Sequence, residues 1–289
     1  MIARRACLSV PAASPRAVAK APSLPADEIV LDLEDAVTPE AKDAARDAAL
    51  AALADPGWRR RTTSVRVNAV GTPWCHRDLV ALGELAVPPA SVVVPKVESP
   101  ADLAFVDRLL DGVEAAAGRP GGGIRVQALI ETAAGVAAVG EIAAASERLD
   151  ALILGYADLA TSLGRSSSVA GDLGAWAAVQ DAVLVAARAN GLQAIDGPWL
   201  GTTVDEGFLA AATRARDLGF DGKWAIHPSQ LETLATLFTP SQGELARARA
   251  VLSAYDEAAR RGQGVVALDG EMVDAAVAAA ARRTLARAR

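Results

Sequence analysis

Cysteine is nearly absent from this chain of 289 residues, and the two present carry no pattern. Cys7 and Cys75 give neither a disulfide framework nor metal-ligand spacing, so a reducing cytoplasm is the expected setting. Long apolar runs are missing too. None reaches the ~20 residues that span a bilayer, and the apolar core of Met1–Pro11 is too short for a secretory signal. No basic face offsets a net charge of −6, which argues against nucleic acid as a partner. The first strand-like run leads into Val10-Pro11-Ala12-Ala13-Ser14, without the Gly-rich turn of dinucleotide-binding sheets. Gly121-Gly122-Gly123 lacks the Lys-Ser/Thr and helix start of a phosphate cradle. No serine or cysteine stands in a nucleophile-elbow context, which argues against covalent acyl transfer.

What is present is apolar and regularly punctuated. Hydrophobic residues make up 52% of the chain, much of it alanine in helix-like stretches. Strand-like runs recur at Ala6–Val10, Glu28–Leu33, Ser64–Asn68, Ser91–Val94, Ile124–Ile130, Leu149–Leu154, Leu192–Ile195 and Gly222–Ile226. Several are continuously apolar, as strands covered on both faces should be. Helical patterns alternate with them at Ser14–Ala21, Thr38–Ala54, Ser99–Ala117, Ala133–Ser146, Ala175–Asn190 and Val204–Leu218. This alternation predicts an α/β protein, a (β/α)8 TIM barrel with a C-terminal helical extension; a doubly wound open sheet is the alternative. The barrel is expected over residues 1–238. Residues 239–289 are expected as the extension, with a helix over Ser241–Arg260, a glycine hinge at Gly262-Gln-Gly264 and a last helix from about Glu271.

The stretch from Gly123 to Asp158 organises the candidate site. It reads as a β-α-β unit with Glu131 and Asp158 just beyond the ends of its two strands. In a parallel sheet those ends share a side, where two hard oxygen donors can hold Mg2+ and leave room for water and substrate. Other strand ends carry Asp32-Leu33-Glu34-Asp35, Asn68, Lys96, Asp196 and His227. Arg66 falls within a strand pattern, where a buried guanidinium needs an anionic partner. Asp32, Glu34 and Asp35 read either as caps and partners of Arg66 and Lys96 or as acceptors for metal-bound water. Lys96 reads equally as an ion-pair partner. His227 reads as structural or substrate-lining. Trp74 and Trp199, in turns after strands, can line a pocket.

At these residues the chain resembles the HpcH/HpaI aldolase and citrate lyase β-subunit family of acyl-CoA lyases. The resemblance is carried by Val30-Leu-Asp-Leu-Glu-Asp-Ala-Val37, Val65-Arg-Val-Asn68, Val94-Pro-Lys-Val-Glu-Ser99, Ile130-Glu-Thr132 and Gly155-Tyr-Ala-Asp-Leu159. It continues through Leu192-Gln-Ala-Ile-Asp196, Leu218 to Gln230 and Gly270-Glu-Met-Val-Asp274. Within the family the chain looks closer to stand-alone malyl-CoA and citramalyl-CoA lyases than to the citrate lyase subunit.

The resemblance implies a barrel with a lid, assembled as a homotrimer or hexamer, that takes a small acyl-CoA and uses Mg2+. It assigns Glu131 and Asp158 to the metal and Arg66 to the substrate carboxylate. Asp274 becomes a lid acid/base serving a neighbouring subunit. Arg5, Lys20 and Ile226-His227-Pro228 fall where the family contacts CoA. The implied reaction is reversible cleavage of a 3-hydroxy-3-carboxyacyl-CoA into acetyl-CoA and a 2-oxo acid. The alternatives are a citryl-CoA lyase subunit and a CoA-independent 2-oxo acid aldolase. Three positions depart from the family pattern. Ala157 stands where an acid or amide is usual, Glu271 replaces a lysine common before Met272, and Ser9 replaces a common aromatic.

Overall fold

A computed structural model describes residues 2–166 and 172–288. Eight parallel strands close into a barrel in sequence order, with the first pairing the eighth. They are β1 (Ala6–Pro11), β2 (Glu28–Asp32), β3 (Thr62–Arg66), β4 (Ser91–Val94), β5 (Arg125–Ile130), β6 (Leu149–Leu154), β7 (Gln193–Asp196) and β8 (Gly222–Ala225). Each lies within two residues of the run read from sequence. The open doubly wound sheet is thereby excluded.

Helices follow the strands: α1 (Pro15–Lys20), α2 (Lys42–Ala54), α3 (Cys75–Glu84), α4 (Pro100–Ala116), α5 (Ala133–Ala137), α6 (Val139–Ala143), α7 (Tyr156–Ser162), α8 (Ala177–Ala189), α9 (Glu206–Leu218) and α10 (Leu231–Leu237). The single helix expected over Ala133–Ser146 is two short ones. Ala138, at φ −98° and ψ 7°, closes α5 and opens α6. The helix expected from Thr38 begins at Lys42, after a tight turn over Pro39–Ala41. Neither α3 nor α7 was expected from the pattern.

The barrel interior is apolar in its middle, where Cys7, Val30, Val93, Leu129, Ile153, Ile195 and Trp224 pack together. Toward the N-terminal ends of the strands it is polar. There Arg4 Nε donates to Glu28 Oε2 at 3.1 Å and Gln127 Nε2 to Glu28 Oε1 at 3.0 Å. Ser64 and Ser91 complete this hydrogen-bonded plug. At that end of a barrel such a network serves stability. The C-terminal ends are left to carry chemistry.

A second compact unit spans Thr236–Arg289, beginning three residues before the boundary expected. It contains α11 (Gln242–Arg260), an antiparallel hairpin of β9 (Val266–Leu268) and β10 (Glu271–Val273), and α12 (Ala275–Ala286). The hairpin corrects the expected helix start at Glu271. Asp269 and Gly270, both at positive φ (51° and 82°), form a two-residue turn, and Leu268 pairs Glu271 across it. Ala248, Val251, Val273 and Ala281 form this unit's core, with Tyr255, Val266 and Leu285 packed against it.

Candidate active site

The loop after β2 is built around its own backbone. Asp32 Oδ1 accepts from the Glu34 N–H at 2.9 Å, and the buried Lys42 ammonium donates to the carbonyls of Leu33 and Glu34, each at 2.8 Å. The two carboxylates are thereby aimed at β3. Arg66 forks onto Asp32, with Nε 2.8 Å from Oδ1 and Nη2 2.6 Å from Oδ2, while Nη1 lies 3.1 Å from Glu34 Oε2. Its guanidinium also stands 5.8 Å from the centre of the Trp224 ring on β8. Three of the five guanidinium donors address Asp32 and Glu34, and the fork retains capacity for a further carboxylate.

Lys96 follows β4 in a left-handed conformation at φ +52°, a costly state for a residue with a Cβ. Its ammonium bonds Glu34, lies 3.2 Å from Asp35 Oδ2 and stands 3.9 Å from Asp158 Oδ1. Its backbone N–H donates to Glu131 Oε1 at 3.0 Å. The carbonyl–amide bond from Ile130 to Gly155 ties the ends of β5 and β6 together at 3.0 Å. Gly155 leaves the room that Glu131 occupies: a Cβ there would come within 2.6 Å of the carboxylate.

Glu131 is 2% exposed, and its carboxyl is pushed up to about 8 by burial and then by the Asp158 charge. Arg66 and Lys96 pull the other way without cancelling these effects. Two acids that repel each other in a half-closed site accept a divalent cation readily, since it removes the repulsion. The donor chemistry fits Mg2+, a hard cation that takes carboxylate oxygens and keeps water in its remaining positions. Among the described residues no group of three or more His, Cys, Asp or Glu forms a ready-made cage.

The structure thus brings Asp32, Glu34, Asp35, Arg66, Lys96, Glu131 and Asp158 to one rim. The Ile226-His227-Pro228 segment follows β8 at the same rim. Its turn is fixed to the loop after β7 by Ser229 Oγ donating to the Thr202 carbonyl and Gln230 Nε2 to that of Gly201. Arg5 is not brought there. It precedes β1, ~20 Å down the strand at ~3.3 Å per residue, and is clamped on Asp27 by Nε at 2.8 Å and Nη2 at 2.7 Å. Lys20 sits exposed in the last turn of α1. The correction of Arg5 has a simple cause: nearness in sequence to the first strand says nothing about which end of the barrel a residue occupies. Asp274 lies in the second unit, where its Oδ1 caps α12 by accepting from the N–H groups of Ala276 and Val277 at 2.9 and 3.0 Å.

A second polar cluster adjoins the first. Lys223, 1% exposed within β8, pairs with Asp196 at the end of β7 and donates to the Gly197 carbonyl at 2.6 Å. The Tyr156 hydroxyl donates to Asp196 and accepts from Gln180 Nε2 at 2.8 Å. Burial and the Asp196 charge push the phenol well above its usual range, so it stays a donor. A charged residue inside the apolar run Gly222–Ala225 is the signal that singled out Arg66, and it marked Lys223 equally.

A closed parallel barrel with paired acids and an arginine on its C-terminal rim defines a metal-assisted barrel enzyme. Residues 5–228 match the family described as HpcH/HpaI aldolase/citrate lyase, and the chain belongs to it. An L-malyl-CoA/β-methylmalyl-CoA lyase of Cereibacter sphaeroides is 39% identical over 92% of this chain and 88% of its own length. A (3S)-malyl-CoA thioesterase of the same species is 38% identical, over 98% and 94%. Among solved structures, the CitE protein of Mycobacterium tuberculosis in complex with magnesium, acetoacetate and coenzyme A superposes with a TM-score of 0.79 at 37% identity. That match covers 98% of this chain and 97% of that one. No helix among the described residues is long and apolar enough to cross a membrane.

Proposed function

We propose that this chain is a Mg2+-dependent acyl-CoA lyase acting on a 3-hydroxy-3-carboxyacyl-CoA of the malyl or citramalyl type. As a member of its family it is a carbon–carbon lyase. The observation that carries the reading is Glu131 and Asp158, close enough to repel and both held against Lys96, beside an arginine already forked onto Asp32. The reaction breaks the bond between carbons 2 and 3. The hydroxyl loses its proton and becomes the carbonyl of a 2-oxo acid. The electron pair passes to the thioester as an enolate, whose carbon takes a proton to give acetyl-CoA.

Each need has a residue. Glu131 and Asp158 would hold Mg2+, which when bound supplies electrostatic stabilisation of the oxygen that becomes a carbonyl. Arg66 binds the substrate carboxylate, with Asp32 fixing the plane of the fork. Lys96 holds Glu131 by its backbone and balances the charge of Glu34 and Asp35. The Ile226–Pro228 turn offers a wall for CoA.

We further assign the second unit as a lid, from which Asp274 acts as acid/base, taking up the hydroxyl proton and returning it to the enolate carbon in a neighbouring subunit's site in a homotrimer or hexamer. A cytoplasmic setting accords with two free cysteines. Mass spectrometry of malyl-, citramalyl-, β-methylmalyl- and citryl-CoA with purified protein and Mg2+ tests the reading. Acetyl-CoA or propionyl-CoA appearing with a 2-oxo acid supports it. Release of free CoA with an intact hydroxy acid would assign a thioesterase. Cleavage confined to free hydroxy-oxo acids would assign the aldolase.

A further inference from the structure

Beside the metal ligands lies a cavity that the chemistry above does not use. It occupies about 210 Å3 between α7, α8 and the loop after β7. Leu173, Trp176, Trp199 and Leu200 form its apolar walls, and Ala157 and Ala160 leave its α7 side open. Its floor is the Tyr156–Asp196–Lys223 cluster. Ala157 precedes Asp158, so the cavity adjoins the place where the reacting carbons would sit.

Two features mark it as built for a ligand rather than left by imperfect packing. Trp199 is seated against Gly201, where a Cβ would come within 2.7 Å of the indole Nε1. The Nε1 atoms of Trp199 and of the 2% exposed Trp176 are buried with no hydrogen-bond partner, an unmet cost on two of the residues that line the cavity. At ~30 Å3 for each water-sized atom, the volume holds about seven non-hydrogen atoms. That is too small for a CoA arm and larger than a methyl group needs.

We infer that this cavity is a subsite for a short aliphatic branch of one substrate, of up to about seven non-hydrogen atoms and carrying an oxygen acceptor for the indole N–H groups. The inference rests on the lyase reading. The branch comes from the acyl chain of the acyl-CoA or from the side chain of the 2-oxo acid, and the two sources are separable.

The test runs the condensation with Mg2+ in two arms. One pairs acetyl-CoA with glyoxylate, pyruvate, 2-oxobutyrate and 2-oxoglutarate. The other pairs glyoxylate with acetyl-, propionyl-, butyryl- and succinyl-CoA. In one arm kcat/KM for the longest, oxygen-terminated partner is expected to equal or exceed that of the shortest. Ala160→Leu, which fills the cavity, is expected to lower the long-to-short ratio about tenfold or more. Leu200→Trp fills it from an exposed position and gives the same result should Ala160→Leu not fold. Trp199→Phe is expected to lower oxygen-terminated partners relative to alkyl partners of equal length. A steady fall of kcat/KM with chain length in both arms, or equal losses for all partners in the filling variants, overturns the subsite. Silence of every acetyl-CoA pair with intact, Mg2+-binding protein would instead overturn the lyase reading.

Discussion

Lys96 and Glu131 are joined by one backbone hydrogen bond of 3.0 Å, and Lys96 adopts a left-handed conformation in making it. The same residue sends its ammonium to Glu34, Asp35 and Asp158. A single position thus orients one metal ligand from the main chain and balances charge around the other from the side chain. Glycine would adopt this backbone at no steric cost but would supply no ammonium. That opposition predicts that Lys96→Gly is more stable than Lys96→Ala by roughly 0.5–1 kcal/mol, the left-handed penalty less the extra entropy glycine loses on folding. Urea denaturation of the two variants checks it. Equal stabilities would mean the conformation carries no strain.

The two acids make metal binding depend on pH. Without metal the Glu131 carboxyl titrates at about 8, so at neutral pH it holds a proton that the cation must displace. Mg2+ affinity is therefore expected to rise with pH, by up to about tenfold per unit below 8, and to level off above it. Calorimetry at pH 7 in buffers of different ionisation enthalpy should register nearly one proton released per ion bound. A pH-independent affinity would place Glu131 outside the coordination set.

Arg66 is asked to do two things with one planar group. A lysine there keeps the charge but cannot fork onto Asp32 and also meet a carboxylate. Arg66→Lys is expected to lower kcat/KM about 10- to 100-fold, the worth of one charge-assisted hydrogen bond. A variant with unchanged kcat/KM would remove Arg66 from substrate binding.

Asp274 also has two roles, and a serine separates them. Ser can cap α12 as the aspartate does but cannot donate a proton at neutral pH. Asp274→Ser should keep wild-type stability, whereas Asp274→Ala loses roughly 1 kcal/mol. Both are expected to lose roughly 100-fold or more in turnover. Full turnover by the serine variant would assign Asp274 to structure alone.

The barrel was legible because several of its strands, buried on both faces, read as unbroken apolar runs, and turn or helix signals follow each one. The same contrast exposed Arg66, a charge within a strand, and by the same rule Lys223 should have stood beside it. The C-terminal hairpin carried its own signal in Asp269-Gly270, a pair suited to a turn with two positive φ values. The exposed, weakly alternating residues on either side masked it. Ala138 splits α5 from α6 with nothing in its side chain to announce the break. The cavity beside Asp158 was illegible for a different reason. Its walls come from separate segments, α7, α8 and the loop after β7, and only closure of the barrel brings them together.

The most direct measurement is the yield of acetyl-CoA and 2-oxo acid from the acyl-CoA that the substrate screen selects, with Mg2+ and after chelation, for the wild-type chain and for Asp158→Ala. The account predicts equimolar products from the wild type, loss on chelation, recovery when Mg2+ is restored, and no metal-dependent turnover from the variant. Full turnover by Asp158→Ala, or by the chelated wild type, would contradict it.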